Sequence, residues 1–404
     1  MTELDIPKLR PGLKAVAGDK PDTVVIVDQY RLGDAIEISH AMFELITLFD
    51  GRKNLKQIRE ETAKMFEGEP VPMETLVNLV RGLDLDYLLD TPRLREKLNT
   101  PDRPPTCVGV YDADPEKARK QLKKLFTNTG GPGLPGEPGC RVATDGAVRA
   151  VLVPHMDYLR GGVTYGWGFK ELVERTDASL FVIIGTSHYS GYRFSLSRQN
   201  FATSFGKVPT DQAYVDRIAK HYGPGLFDDP YAHVPEHSIE LEVAMLQYVF
   251  DGKRPFRIVP LLTGSYFDCV GKRTNPRDQA DIARMISALK LAEAEAGEKV
   301  CYVISGDLAH IGPKFEDPDL LSDEQLKESK KQDDRLMQFV AAADTDGYFG
   351  VIAAEEDSRR ICGLPPTYLT LEAAKPKRGK LLHYGRYIQP EGIESVSFAA
   401  VAFD

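Results

Sequence analysis

The chain has 404 residues, 42% of them apolar, which suits two or three domains with ordinary cores better than one small domain. A formal net charge of −9 argues against a general nucleic-acid binder and against adsorption to an anionic membrane surface, since both functions use basic faces. The longest apolar runs, such as 180–184, are about five residues long against the roughly 20 that span a bilayer, so no membrane segment is expected.

The opening stretch, MTELDIPKLRPGLK, lacks the apolar core of a signal peptide. The five cysteines, at 107, 140, 269, 301 and 362, are irregularly spaced and form no C-x-x-C pair. That usage reads as free thiols in a reducing compartment, and a cytoplasmic location is expected.

In chain order, residues 23–30 (TVVIVDQY) predict a strand and 35–38 a second short one. Ser39 can cap a helix carrying Met42, Phe43, Leu45, Ile46 and Leu48 that ends at Asp50-Gly51. Helices are predicted over 55–66 and 73–83, followed by a short extended segment at 87–89. Strands with three short helices suggest a small winged-helix-like module. The helix leading into LFDGRKNLKQI, then PVPMETLVNLVRGLDLDYLL, resembles the PqqD-like fold, a peptide-recognition element found beside radical-SAM peptide-modifying enzymes. The resemblance implies a possible peptide partner for residues 1–98. The alternative is a winged helix that packs on the main domain and binds nothing. The segment is not basic enough to read DNA.

Residues 91–106 form a charged, proline-bearing connection, and the second domain is taken as 99–404. Asp114 and Pro115 open a helix over 115–126. The glycine–proline run TNTGGPGLPGEPGC reads as a mobile loop or lid. From 147 onward strands and helices alternate. Strands are predicted at 148–153, 180–185, 256–262 and 300–305, with two more in the tail at 383–389 and 396–403. Helices are predicted at 164–175, 209–222, 239–250, 278–296 and 324–342. This pattern predicts an α/β fold with a mainly parallel sheet and helices on both faces.

Open α/β sheets bind ligands beyond the carboxyl ends of their strands. Three predicted strands end in reactive side chains: AVLVP leads to His155, LFVIIGTS to His188, and CYVISG to Asp307, with His310 three residues on. One such ending means little; three on one sheet are brought together by the fold. Two neutral imidazoles with a third, anionic ligand make a first-row metal site with open positions. Asp307 and His310 could then orient the ligands or act as acid and base. Spacing leaves the third ligand open among Asp157, Glu236, His237, Glu240, Asp307 and Cys362. Cys362 lies before a Pro-Pro that can open a helix, and Arg359 and Arg360 precede it. Both features would lower a thiol pKa.

PHMDYLRGGVTYGWGF, GTSHYSG, PEHSIELEV, SGDLAHIG and ICGLPPTYL, in this order, resemble the MEMO family, and within it the microbial branch called AmmeMemoRadiSam system protein B. CVGVYDADPEKARKQLKKLF matches the family's opening segment. The resemblance implies a fold similar to class III extradiol dioxygenases, which use non-haem Fe(II). It implies that His155, His188 and Cys362 are metal ligands, that Asp307 and His310 line the same pocket as acid/base groups, and that His237 is a further functional position. Iron is the implied metal, with copper or zinc as competitors for a thiolate site. The family name implies a radical-SAM enzyme and an AMMECR-type protein as partners. The segment MDYLRGG departs from animal members by adding Asp157 and Arg160. Arg160 could bind an anionic substrate group or pair with Asp157. The expected function is a non-haem iron redox enzyme; the alternatives are a zinc hydrolase or a non-catalytic metal- or peptide-binding protein.

Overall fold

The computed structural model describes residues 5–66 and 68–404, so residues 1–4 of the opening stretch lie outside it. The chain divides into two compact units, residues 1–100 and 101–404.

In the first unit the strands Leu13–Ala17, Thr23–Asp28 and Ile36–Ser39 form an antiparallel sheet with Thr23–Asp28 in the middle. That strand alternates, burying Val24, Ile26 and Asp28. Helices His40–Thr47, Leu55–Met65, Met73–Leu85 and Pro92–Leu98 follow. Ser39 caps the first, as its position predicts, and Asn54 with Gln57 makes a capping box on the second. Ile46, Phe49, Ile58, Leu76, Val80 and Leu89 fill the core. Arg10 and Asp28 form a buried ion pair at 2.6 Å. Two elements escaped the sequence pattern. Leu13–Ala17 is exposed along most of its length and so carries no alternation. Pro92–Leu98 begins at a Thr91 cap inside the stretch expected to be a connection.

The second unit is built on an eight-stranded sheet. Its order is His310–Ile311, Ser395–Phe403, Ala150–Val153, Val300–Ser305, Leu180–Thr186, Arg257–Thr263 and Phe194–Leu196, with Gly379–Ile388 also pairing on Ser395–Phe403. The four central strands are parallel. The flanking pairs are antiparallel, so the sheet is mixed, parallel at its centre and not at its edges. Strand residues alternate between two cores. Ala150, Leu152, Leu180, Val182 and Ile184 face one core with helices Gln212–Tyr222, Ala280–Ala296 and Leu364–Ala374. Val151, Val153, Phe181 and Ile183 face the other with Pro115–Thr127, Val163–Glu174 and His237–Phe250. Burial on both faces explains why these strands read as unbroken apolar runs. Each fully buried Val, Leu or Ile contributes about 1.5–3 kcal/mol, and a charge at these positions would reverse that gain.

The glycine–proline loop is not a free lid. Gly133 N–H donates to Phe126 O, Gly136 N–H to Glu174 Oε1 and Gly139 N–H to Val173 O. Trp167 Nε1 and Lys170 Nζ donate to the carbonyls of Gly130 and Pro132. These bonds tie the loop to helices Pro115–Thr127 and Val163–Glu174. Among the described residues, no helix is long and apolar enough to cross a membrane.

Candidate metal centre

Register explains how the strand ends meet. Val153 pairs with Ser305, and Ser305 with Gly185, so three adjacent parallel strands finish in line. His155 and Asp307 lie two residues beyond that line and His188 three beyond it. The central position falls to Asp307, whose Oδ1 accepts the backbone N–H of His155 at 3.1 Å. Two helices from opposite faces of the sheet bring the remaining groups. His237 is the first residue of helix His237–Phe250. Cys362 stands two residues before helix Leu364–Ala374.

The side chains form two overlapping donor sets. The ligand atoms of His155, His188 and His237 lie within 4.8 Å of one another, as do those of His155, Asp307 and Cys362. Cys362 Sγ is 3.2 Å from His155 Nε2, and Asp307 Oδ2 is 3.7 Å from the same nitrogen. His155 therefore belongs to both sets. His310, next to Phe315 and coupled by charge to Asp307, lies beside them and in neither set. His155, Asp307 and Glu236 are buried, whereas His188 and His237 leave 31% and 33% of their side chains open. The centre is thus closed behind and open on the histidine side.

Each histidine's hydrogen bond sets which nitrogen is free. His155 Nδ1 faces the carbonyl of Ser305 at 3.3 Å, leaving Nε2 toward Cys362. His188 Nδ1 faces Glu236 Oε1 at 2.9 Å. His310 Nδ1 faces the carbonyl of Leu308 at 3.1 Å. With Nδ1 as the donor in each case, three Nε2 lone pairs remain for a cation or a proton.

The electrostatics separate the roles. Burial, helped by the nearby His188 charge, holds the His155 pKa well below the ordinary value, so it is neutral and ready to coordinate. Burial also lowers His188, but the Glu236 carboxylate outweighs it and holds this imidazole above the usual value. Burial works against Glu236, yet His188 and its hydrogen bonds keep that carboxylate ionised well below the usual range. Asp307 is pushed up to about 6 by burial, opposed by His310 and backbone N–H groups. His310 is lowered by burial, with Asp307 resisting.

Cys362 differs from expectation. Burial and then the Asp307 charge push its thiol well above the ordinary value. Arg359 and Arg360 do not acidify it: Arg359 pairs with Asp333 and Glu355, and Arg360 with Asp317. A cation at the centre, rather than the helix terminus, is what could deprotonate this thiol. Arg160 pairs with Asp157 and reaches Glu394 at 3.4 Å, lying over the Tyr387 ring. It is committed to structure rather than free for a substrate anion.

Of the remaining third-ligand candidates, Asp157 caps helix Tyr158–Gly161 and pairs with Arg160. Glu240 is buried against Arg103 and Tyr111. Glu236 spends its oxygens on four hydrogen bonds, from His188 N, His188 Nδ1, His237 N and Ser238 N. From the sequence it is one candidate ligand among six; in the structure it holds the backbone and ring of His188. Its signal was positional: an acidic residue at the start of a helix beside a histidine. Ser305, whose carbonyl fixes His155, carried no signal, because any residue supplies a carbonyl.

Comparison with known proteins matches the part of the chain that carries these residues. The family model described as Memo-like protein matches residues 103–402. A MEMO1 family protein of Aquifex aeolicus is 24% identical over 395 residues, covering 95% of this chain and 96% of the relative. One from Methanopyrus kandleri is 27% identical over 311 residues, covering 75% of this chain and 99% of the relative. One from Archaeoglobus fulgidus is 29% identical over 245 residues, covering 60% and 81%.

Proposed function

The chain belongs to the Memo-like protein family, and from that premise we propose that it is a metal-binding redox enzyme using non-haem Fe(II) in the manner of class III extradiol dioxygenases. His155, His188 and Cys362 would hold the ion, with His237 and Asp307 at its edges. The observation that carries the reading is the donor chemistry around His155 Nε2: a thiol at 3.2 Å, a carboxylate at 3.7 Å and two further imidazoles, each set within 4.8 Å. Two imidazoles and a softer anionic donor suit a first-row divalent ion. When bound, such an ion supplies a site for O₂ and a substrate oxygen together.

The chain's own groups do the rest. Asp307 holds the His155 backbone and shares its field with His310. With Nδ1 facing Leu308 O, neutral His310 has Nε2 available to take a substrate proton, and Asp307 stabilises the imidazolium that forms. The open side of His188 and His237 is where a substrate enters.

The reading extends to company. A radical-SAM enzyme and an AMMECR-type protein would be partners in the cytoplasm, and residues 1–98 would act as a PqqD-like winged helix that docks a peptide. The sheet Leu13–Ala17, Thr23–Asp28 and Ile36–Ser39 with its following helices supports that part. A second reading, a zinc hydrolase or a non-catalytic metal carrier, is favoured by the soft Cys362 donor.

Anaerobic purification followed by metal analysis tests the proposal. About one iron per chain, lost in His188→Ala, is expected. One zinc per chain instead would establish the second reading, and no metal in either protein would end both.

A further inference from the structure

Arg103 has no place in the chemistry above, yet it is among the most completely engaged side chains in the second unit. It is 1% exposed, in the short strand Asp102–Arg103. Its Nε donates to His233 O at 2.6 Å, and its Nη2 to Glu236 O at 2.7 Å and to Val234 O at 3.3 Å. Nη1 pairs with Glu240, one turn into helix His237–Phe250. Nη2 also reaches Thr106 Oγ1 at 2.8 Å. The guanidinium lies over the Phe201 ring at 4.9 Å.

Three carbonyls from residues 233–236 therefore converge on one planar fork. That loop enters helix His237–Phe250, and besides Arg103 it is held at His233, whose Nε2 faces Ser195 O at 3.1 Å. Its last residue is Glu236, whose carboxylate holds both the backbone and Nδ1 of His188. Glu240 completes the clasp by accepting from Thr106 N at 2.9 Å and Cys107 N at 2.9 Å.

We propose that Arg103 is a positioning residue for the metal centre: by fastening the loop that carries Glu236, it fixes the tautomer and orientation of His188. A lysine cannot replace it, because one ammonium cannot face three carbonyls and a carboxylate from the positions a guanidinium spans. Groups that orient metal ligands through hydrogen bonds commonly affect affinity by 10–100-fold. Arg103 acts one step further out, so about tenfold is expected. The affinity part rests on the metal-binding reading; the tautomer part does not.

The experiment uses the full chain, Arg103→Lys and Glu240→Gln, with circular dichroism to establish folding. Nitrogen-labelled histidine NMR on metal-free protein reads the His188 tautomer, and Co(II) titration reads affinity and ligand-field spectrum. At a pH high enough to leave the imidazole neutral, wild type should show a single Nδ1–H tautomer at His188. Folded Arg103→Lys should show a mixed tautomer, about tenfold weaker Co(II) binding and an altered spectrum. Glu240→Gln, which keeps the shape and removes the charge, should move the same readouts less, and it decides the question if Arg103→Lys does not fold. A fixed tautomer with unchanged binding in a folded variant overturns the proposal. If wild type binds no Co(II), the metal reading fails while the tautomer still decides the role of Arg103.

Discussion

Cys362 Sγ stands 3.2 Å from His155 Nε2, and two glycines set that distance. A Cβ on Gly306 would lie 2.6 Å from Gly363 Cα, and one on Gly363 would lie 2.5 Å from Asp307 O. The two backbones therefore touch, and Gly363 N–H donates to Asp307 O at 2.9 Å. Thr186 Oγ1 holds the Cys362 carbonyl from the other side at 2.8 Å. This close approach presses the thiol against the strand ends.

Gly363→Ala should separate the thiol from His155 without unfolding the protein. With Co(II) as the probe, the thiolate-to-metal charge-transfer band should be lost or at least tenfold weaker. An intact band at wild-type affinity would show that the glycine contact does not place the cysteine.

The shared position of His155 separates the two donor sets. His155→Ala should abolish binding of every metal, since His155 belongs to both sets. His237→Ala should weaken Co(II) more than Cu(I), and Cys362→Ser should do the reverse, because thiolate prefers the softer ion. Titration of the three variants with both ions checks this. Equal losses for both ions in both variants would mean the sets act as one site.

Asp307 predicts a pH signature in metal-free protein. Its carboxyl is raised from 3.8 to about 6, so the folded protein binds this proton more tightly than the unfolded chain. Stability is therefore lost as pH rises from about 4 to about 6 and stays lower above that, by roughly 2–3 kcal/mol from this group. Asp307→Asn should remove that loss, gaining relative to wild type by about this amount between pH 4 and pH 7. Denaturant melts in the presence of a chelator measure it, and a difference that does not change with pH would contradict it.

The strand-end residues His155, His188 and Asp307 were legible in the sequence because parallel strands buried on both faces read as apolar runs, and the residue after such a run lies at the sheet's edge. Cys362 was not legible that way. It comes from a loop on the far side of the sheet, and only the order of motifs tied it to the others. Glu236 was visible only as a candidate ligand, because spacing does not say which carboxylates are spent on hydrogen bonds, as this one is. Arg103 was invisible: a buried arginine in a proline-bearing connection looks like solvent-exposed charge until its partners at 233–240 are known. The antiparallel edge of the sheet was missed for a related reason, since strand direction is not written in hydrophobic pattern.

All six candidate site residues lie in residues 101–404, which have their own two cores. A chain limited to that unit should fold and bind Co(II) within about twofold of the full chain, because packing and donors are both retained. A larger loss would show that the first hundred residues contribute to the centre.

Glu242 leads to the last prediction. It is fully buried, and among the described residues neither carboxylate oxygen has a partner at ordinary hydrogen-bond geometry. The neighbouring tyrosine hydroxyls are committed elsewhere: Tyr158 donates to Leu241 O and Tyr165 to Met156 O. Burial pushes its pKa well above the ordinary value; the Ser305 hydroxyl opposes this and the Asp307 charge adds to it. An isolated carboxylate here would cost more than a protonated acid, so burial favours the neutral form of Glu242. The proton is held more tightly in the folded protein, so stability falls as pH rises from the unfolded value of 4.5 toward the folded one. Glu242→Gln keeps the shape without the ionisation and should flatten that slope. Infrared spectra at pH 7 should show a protonated-carboxyl band in wild type that Glu242→Gln lacks. If wild type has no such band, Glu242 is charged and an unseen cation must stand beside it.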